Sequence, residues 1–235
     1  MRDQGWDSAF NLTSAYRRDS DIPRPFGTVN KALFDTGRWK KQYNNQSELY
    51  FEEIKSGEDH LKYILEHKSK HGEGNHTAWM VSNCGKTKGA IVRQKYAQRL
   101  INKGLKLDGY GECFDNVLVK SPWSTGIFRK YKFYLAFENS IHCNDYMSEK
   151  VWRNSFGQGL VPIIFGTDRR DAKAMAPPNS YIHVENFQYP SQLVEYLDYL
   201  DKNDTAYAEY HQWRLAEPDA DQPIRTNTGK YFIYR

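Results

Sequence analysis

Residues 131–166 read YKFYLAFENSIHCNDYMSEKVWRNSFGQGLVPIIFG, and the order of these signals decides the fold. The run FYLAF is continuously apolar. A strand of that kind needs cover on both faces, the condition of a parallel sheet. It delivers Glu138 and Asn139 to its carboxyl end. A short loop then carries Tyr146, and a helix expected over 148–156 opens with Glu149 and Lys150. Gly157 and Gly159 stop it, and LVPIIF begins the next strand. Folds of this type present ligands at the carboxyl ends of their strands. A helix N-terminus there offers free N–H groups and partial positive charge, which suits an anion. Lys150 in the first turn opposes that dipole, a local penalty expected where a ligand phosphate compensates. Its plain alternative is a lysine reaching into water. Val151, Trp152, Ser155 and Phe156 are spaced to pack on the sheet.

The same alternation extends outward on both sides. AWMVS at 78–82 reads as a buried strand. After the loop NCGKTKG, a helix is predicted over 90–102, with Ile91, Tyr96, Leu100 and Ile101 inward and Gly104 as its stop. Strands follow at 105–110 and 181–184, and helices at 191–200 and 205–214. Residues 76–215 therefore predict a doubly wound α/β domain. Upstream, 1–30 is polar and irregular, and 31–47 has no clear period. Over 48–68, Leu61, Ile64 and Leu65 sit at helical spacing with Gly57 interrupting, which predicts two short helices. Arg93 lies one turn into the helix after the domain's first strand, where βαβ folds place phosphate. A surface arginine paired with an acidic neighbour fits the spacing equally. The loop before it carries neither GxGxxG nor a Walker pattern. His142 and His183 each stand alone and read as structural.

Composition narrows the classes. The chain has 235 residues, 39% apolar and 15% aromatic, enough for a buried core. Its net charge of +4 suits an anionic ligand such as a nucleotide diphosphate. The cations are scattered, with no basic stripe or RNA-binding motif, which argues against nucleic acid. No stretch approaches the roughly 20 apolar residues of a membrane helix, and the start lacks the apolar core of a signal peptide. Four N-x-S/T sequons, at Asn11, Asn45, Asn75 and Asn203, favour a lumenal setting over chance. Three cysteines, Cys84, Cys113 and Cys143, with no CxxC pair, predict no zinc cluster.

At 131–166 the chain resembles the α1,3/4-fucosyltransferases. Their donor motif reads approximately YKFYLAFENS, a gap, DY-x-[TS]-EK with a helix, then VP-x-x-x-G, and each part is present in order at 131–140, 145–150 and 161–166. Residues 10–21, FNLTSAYRRDSD, resemble the family's FNWT-x-x-YRRDSD. Residues 25–27 resemble its PYG, with Phe26 in the tyrosine's place. VSN followed by Arg93, and YIHV near the end, fit as well. The resemblance spans about residues 9–215, with an unusual stretch at 31–70.

The resemblance implies a GT-B-type α/β glycosyltransferase, here mainly the C-terminal Rossmann-like donor-binding domain at 76–215. Residues 1–75 would be a remnant of the N-terminal acceptor domain plus linker, and 216–235 a C-terminal tail. It implies an inverting transfer of fucose from GDP-fucose to a GlcNAc-containing glycan on a glycoprotein or glycolipid, at the lumenal side of the Golgi membrane. No metal or other cofactor is implied. Arg93 and Lys150 would neutralise the pyrophosphate, and Glu149 would accept hydrogen bonds from the ribose. Tyr134, Asn139 and Tyr146 would line the diphosphate and fucose, with Ser82 and Asn83 beside the nucleotide. The family's base is a glutamate in an ESP-type motif before FNWT, expected upstream of Met1. The membrane anchor and a Cys-containing tail after Tyr231 are likewise not in these residues, so a truncated, non-catalytic nucleotide-sugar-binding fragment is the competing expectation. The strand order also makes a Cys84–Cys113 disulfide one of the open pairings, since both lie near carboxyl ends of neighbouring strands.

Overall fold

The strand Phe133–Phe137 is the centre of a five-stranded parallel sheet, and its alternation builds two cores at once. A computed structural model describes residues 12–43, 49–114, 126–216, 224–225 and 231–232. Phe133, Leu135 and Phe137 enter one apolar cluster, while Tyr134 and Ala136 enter the other. A strand buried on both faces sends alternate side chains into two separate cores.

In chain order the elements are β1 (Ser14–Ala15), β2 (Ile22–Pro23), α1 (Val29–Asp35), β3 (Trp39–Tyr43), β4 (Leu49–Glu53) and α2 (Gly57–Glu66). The sheet unit follows with β5 (Thr77–Met80), α3 (Lys88–Asn102), β6 (Leu107–Tyr110), β7 (Phe133–Phe137), α4 (Glu149–Trp152), β8 (Val161–Phe165), α5 (Arg169–Met175) and β9 (Ile182–His183). Helices α6 (Pro190–Lys202) and α7 (Asp204–Glu209) close it. The strand order is β6-β5-β7-β8-β9, all parallel. The order reverses between β5 and β7, which makes their carboxyl ends the switch point where such sheets bind ligands. Ala97 and Leu100 of α3 share the first cluster with Leu193, Leu197 and Leu200 of α6. The second face is covered by Val151 and Trp152 of α4, Ala172 of α5, and Ala32 of α1.

Several local readings need correction. The segment expected to hold two helices is a strand and one helix: β4 pairs antiparallel with β3, and only α2 is helical. LYFEE carries β-prone aromatics, and Gly57 begins the helix behind the Ser56 N-cap instead of interrupting one. The expected helix over 148–156 is a single turn, α4, followed by a 3-10 turn at Phe156–Gln158. Helix α5, unread in the sequence, makes the β8–β9 crossover; its seven residues are too few to show a period. On α3 the inward face is Ala90, Arg93, Ala97 and Leu100, whereas Ile91 is exposed. Gly104 stops α3 as expected, at φ +96, with its amide on the Ile101 carbonyl at 2.9 Å.

A second, polar cluster joins α1 and α2 to the chain's far end. Arg214 is fully buried; its guanidinium donates to the Phe156 carbonyl at 2.8 Å and to His211 Nδ1 at 3.2 Å. Arg38, 1% exposed, donates to the Arg214 and Ala216 carbonyls and pairs with Glu53. His60 Nε2 bonds Thr36 Oγ1 at 2.9 Å. Burial, then Arg214, Arg38 and Lys55, push the His60 pKa down to about 3, and burial with Arg214 holds His211 low as well.

Two predictions follow from this packing. Cys84 and Cys113 form a disulfide with Cα atoms 5.3 Å apart, closing 29 positions of chain, while Cys143 is free. A loop of that length predicts a loss of roughly 3–4 kcal/mol on Cys113→Ser, read as the shift in urea midpoint with and without reductant. The histidines set the acid limit. A group whose folded pKa is depressed stays neutral in the fold but takes a proton in the unfolded chain below about 6.5. Stability contributed by neutral His60 is therefore complete above about pH 6.5 and falls as pH drops towards its folded value of about 3, and His211, held low by burial and Arg214, acts in the same direction. Thermal unfolding between pH 7 and 4 should show this fall, and His60→Gln should flatten it.

Candidate functional site

Both cations singled out in the sequence act at the last two residues of the central strand's exit, Phe137 and Glu138. Helix α3 begins with the Thr87 N-cap, whose hydroxyl also donates to the Asn139 carbonyl at 3.1 Å. Gly89 makes that close approach possible: a Cβ there would stand 2.0 Å from the Asn139 oxygen. One turn on, Arg93 reaches under the strand end. Its guanidinium donates to the Phe137 carbonyl at 2.8 Å and to the Asn83 carbonyl at 3.1 Å. It is 2% exposed, and its Nε–H has no partner among the described residues. Burial lowers its pKa, opposed by the charges of Glu138, Tyr134 and Tyr146.

Lys150 arrives from the other side. Glu138 is fully buried, and its carboxylate accepts from the Ser148 amide at 2.8 Å, the Ser148 hydroxyl at 2.8 Å and Lys150 Nζ at 2.9 Å. The ammonium also donates to Ser148 Oγ at 2.7 Å and lies 3.4 Å from Glu149. Burial would lower the Lys150 pKa, but Glu138 and Glu149 overcome it, so the pKa is raised and the lysine stays charged. Ser148 and Glu138 were not among the expected site residues. The signal for Ser148 is its place just before Glu149 and Lys150, a helix N-cap.

The remaining expected residues divide. Asn83 folds its loop through an Asx turn, Oδ1 accepting from the Lys86 amide at 2.9 Å, and Ser82 stands exposed beside it. Asn139 is at the strand exit, with Oδ1 buried and unpaired among the described residues. Glu149 is 38% exposed in the first turn of α4. Tyr146 is half-buried, its ring 5.3 Å from that of Tyr16 and 5.9 Å from that of Phe26; burial and then Glu138 raise its pKa. Tyr134 is not at the strand end. It is mid-strand and fully buried, and its hydroxyl accepts from Asn154 at 3.0 Å while burial pushes its pKa up to about 12. The structure thus places it in the second core.

His183 is structural: Nδ1 accepts from the Glu185 amide, so Nε2 carries the proton donated to the Thr167 carbonyl at 3.0 Å. The amide nitrogen of Asn75 is held by Asp108 at 2.7 Å, and that of Asn203 by the Tyr199 hydroxyl at 3.1 Å. Asn11 and Asn45 lie outside the described residues. Two cavities flank the site. One of about 530 Å³ opens past β8 and β9, lined by Arg169, Lys173, Tyr181 and His183 among others. The other, about 200 Å³, lies between residues 16–28 and helices α4 and α5, lined by Tyr16, Phe26, Met147, Trp152 and Met175. Neither is walled by Arg93 or Lys150, both of which are turned onto protein acceptors.

Residues 66–227 match the family model described as glycosyltransferase family 10 (fucosyltransferase), C-terminal part. A 4-galactosyl-N-acetylglucosaminide 3-alpha-L-fucosyltransferase of Homo sapiens is 36% identical over 208 residues, 88% of this chain and 48% of that protein. Glycoprotein 3-alpha-L-fucosyltransferase A of Drosophila melanogaster is 36% identical over 212 residues, 88% of this chain and 36% of that protein. The chain thus spans about half or less of the length of these relatives. The fold is also that of solved α1,3-fucosyltransferases. One with GDP superposes with a TM-score of 0.53 at 22% identity, covering 87% of this chain and 57% of that one. Another with GDP-fucose gives 0.50 at 22% identity, over 74% and 47%. The parallel α/β sheet is accordingly of the GT-B type, and the chain belongs to glycosyltransferase family 10, the fucosyltransferases.

Proposed function

We propose that this chain carries the GDP-fucose-binding half of an α1,3-fucosyltransferase, and that the donor pyrophosphate binds at the carboxyl end of β7. The reading rests on the convergence of Arg93 and Lys150 on Phe137 and Glu138, at the point where the strand order reverses. A pyrophosphate arriving there competes with neutral carbonyls for Arg93 and with Glu138 for Lys150. Phosphate oxygens are the stronger partners for a guanidinium whose hydrogen bonds go only to neutral carbonyls. Glu149, exposed beside Lys150, is placed to accept from ribose hydroxyls.

Transfer with inversion needs a base to take the acceptor proton as the hydroxyl attacks the anomeric carbon. It also needs positive charge to hold the departing diphosphate. In this proposal the two cations supply the second need and no metal takes part. The proposed base is a glutamate outside the described residues, the one that the family resemblance implies ahead of the FNWT-like segment. The acceptor is a GlcNAc-containing glycan, in protein glycosylation on the lumenal side of the Golgi membrane. A second reading is binding without transfer. It is favoured by the span of the chain, about half or less of the length of these relatives, with the base of the first reading coming from outside the described residues.

Titration calorimetry with GDP, GMP and GDP-fucose tests the site. GDP and GDP-fucose should bind at least tenfold more tightly than GMP, since only a diphosphate spans both cations; equal binding of GDP and GMP overturns the reading. Lys150→Ala alone strands Glu138 in the core, a change that costs about 3–5 kcal/mol. The informative variant is Lys150→Met with Glu138→Gln, which should keep the thermal midpoint and lose the GDP preference. Incubating the purified chain with GDP-fucose and a GlcNAc-terminated glycan should give binding with little or no fucosylated product, because the first reading takes its base from elsewhere; robust fucosylation by the chain alone overturns that placement of the base.

A further inference from the structure

The loop between β7 and α4 is held in a demanding shape. His142 and Asp145 both adopt left-handed backbone, at φ 53 and φ 58, without being glycine. Such residues persist where surrounding contacts over-determine them, and they gather at sites that need a fixed geometry. Asp145 immediately precedes Tyr146 and stands five positions before Lys150. What fixes it comes from far away in the chain.

The Asp145 carboxylate, 8% exposed, accepts from the Arg18 amide at 3.0 Å and from Arg18 Nε at 2.6 Å. The Asp145 amide donates to Asp171 Oδ2 at 2.8 Å, and Asp171 Oδ1 accepts from the Arg18 guanidinium at 3.2 Å. The three residues form a closed ring of hydrogen bonds, spanning 127 positions from Arg18 to Asp145 and 153 to Asp171. The ring fixes both sides of the Asp145 backbone. On either side of Arg18 in sequence, Tyr16 and Phe26 place their rings edge-on to Tyr146. One segment, 16–26, therefore sets both the backbone before Tyr146 and the position of its ring. The other end of the loop is set by Ser148 on Glu138.

We infer that Arg18 is a positioning residue for the donor site: acting through Asp145, it aims Tyr146 and the first turn of α4 without contacting the donor. The inference rests on the reading of that site given above. An arginine suits the role because its planar fork bonds two carboxylates at fixed angles, which a lysine ammonium does not reproduce. The exposed position of Arg18, 51%, makes its removal tolerable for the fold, while Asp145 and Asp171 are much less exposed.

The test combines Arg18→Ala, Arg18→Lys, Tyr146→Ala and the Arg18→Ala/Tyr146→Ala pair, with two readouts. Hydrogen exchange, which needs no ligand, should show faster exchange across 141–149 in Arg18→Ala, with the β5 and β7 amides unchanged. GDP-fucose affinity by calorimetry should fall roughly five- to twentyfold in Arg18→Ala, recover only in part in Arg18→Lys, and fall in the double variant no further than in Tyr146→Ala alone. Unchanged exchange across 141–149 overturns the inference, as does a strictly additive double variant. So does a loss that Arg18→Lys restores in full, because charge alone would then be the cause. Absence of GDP binding by the unsubstituted chain counts against the donor site itself and leaves the exchange readout to decide the role of Arg18 in holding the loop.

Discussion

The fold and the site meet in one buried interaction, the carboxylate of Glu138 receiving the Ser148 amide, the Ser148 hydroxyl and Lys150 Nζ. A fully buried acid is costly unless it is paired and its oxygens are hydrogen-bonded, and here both conditions are met. The interaction decides where α4 begins, because Ser148 is at once its N-cap and the residue Glu138 holds. It also decides that Lys150 sits against the strand end and not in water. Once those are fixed, Val151 and Trp152 follow into the second core with no further choice.

Arg93 plays the matching part on the other side of the switch point, yet its chemistry differs. Its bonds are to two carbonyls, from Phe137 and Asn83, so it ties the loop after β5 to the end of β7. A cation that braces two loops against each other has a structural duty whatever it binds. This separates the two residues experimentally. Loss of Arg93 leaves two carbonyls without a donor in a water-poor place, and its effect on binding cannot be read apart from its effect on packing. Lys150 can be neutralised together with its partner, which is why it is the cleaner probe.

Much of this was legible in the sequence, for identifiable reasons. The continuous apolar runs at 133–137 and 161–165 admit few settings other than a parallel sheet, and the polar residues after them fall at its carboxyl edge. The Cys84–Cys113 disulfide was only one of the open pairings in the sequence; the side-by-side placement of β5 and β6 brings the two cysteines together. What was not legible depends on tertiary pairing. β4 shows as a strand only because β3 lies beside it, and α5 is too short to carry a period. Tyr134 belongs to a motif that reads as functional, and strand alternation puts its ring on the α4 face of the sheet, where its buried hydroxyl accepts from Asn154 within electrostatic reach of Lys150 and Glu149. Motif membership names the neighbourhood, whereas the period-2 geometry decides which face a residue serves.

The segment ahead of the sheet reads in sequence as a domain remnant and linker, and its arginines tie it to the site. Arg18 reaches Asp145 and Asp171, and Arg38 reaches the carbonyls of Arg214 and Ala216. Arg214 in turn bonds the Phe156 carbonyl just beyond α4. Burial pushes the Arg214 pKa down to about 9, far enough above neutrality that the group remains a cation inside the protein. These cations are held by directional bonds to named carbonyls, which fix where the segment meets the rest of the chain. The described residues 12–43 and 49–66 therefore act as a polar strap whose anchor points fall on both sides of α4. The sheet supplies the site's position at the switch point, and the strap supplies its orientation. In the proposed reading, a mutation in the strap alters donor binding from a distance while the core stays intact, which places the sensitivity of the site partly outside the motif that first identified it.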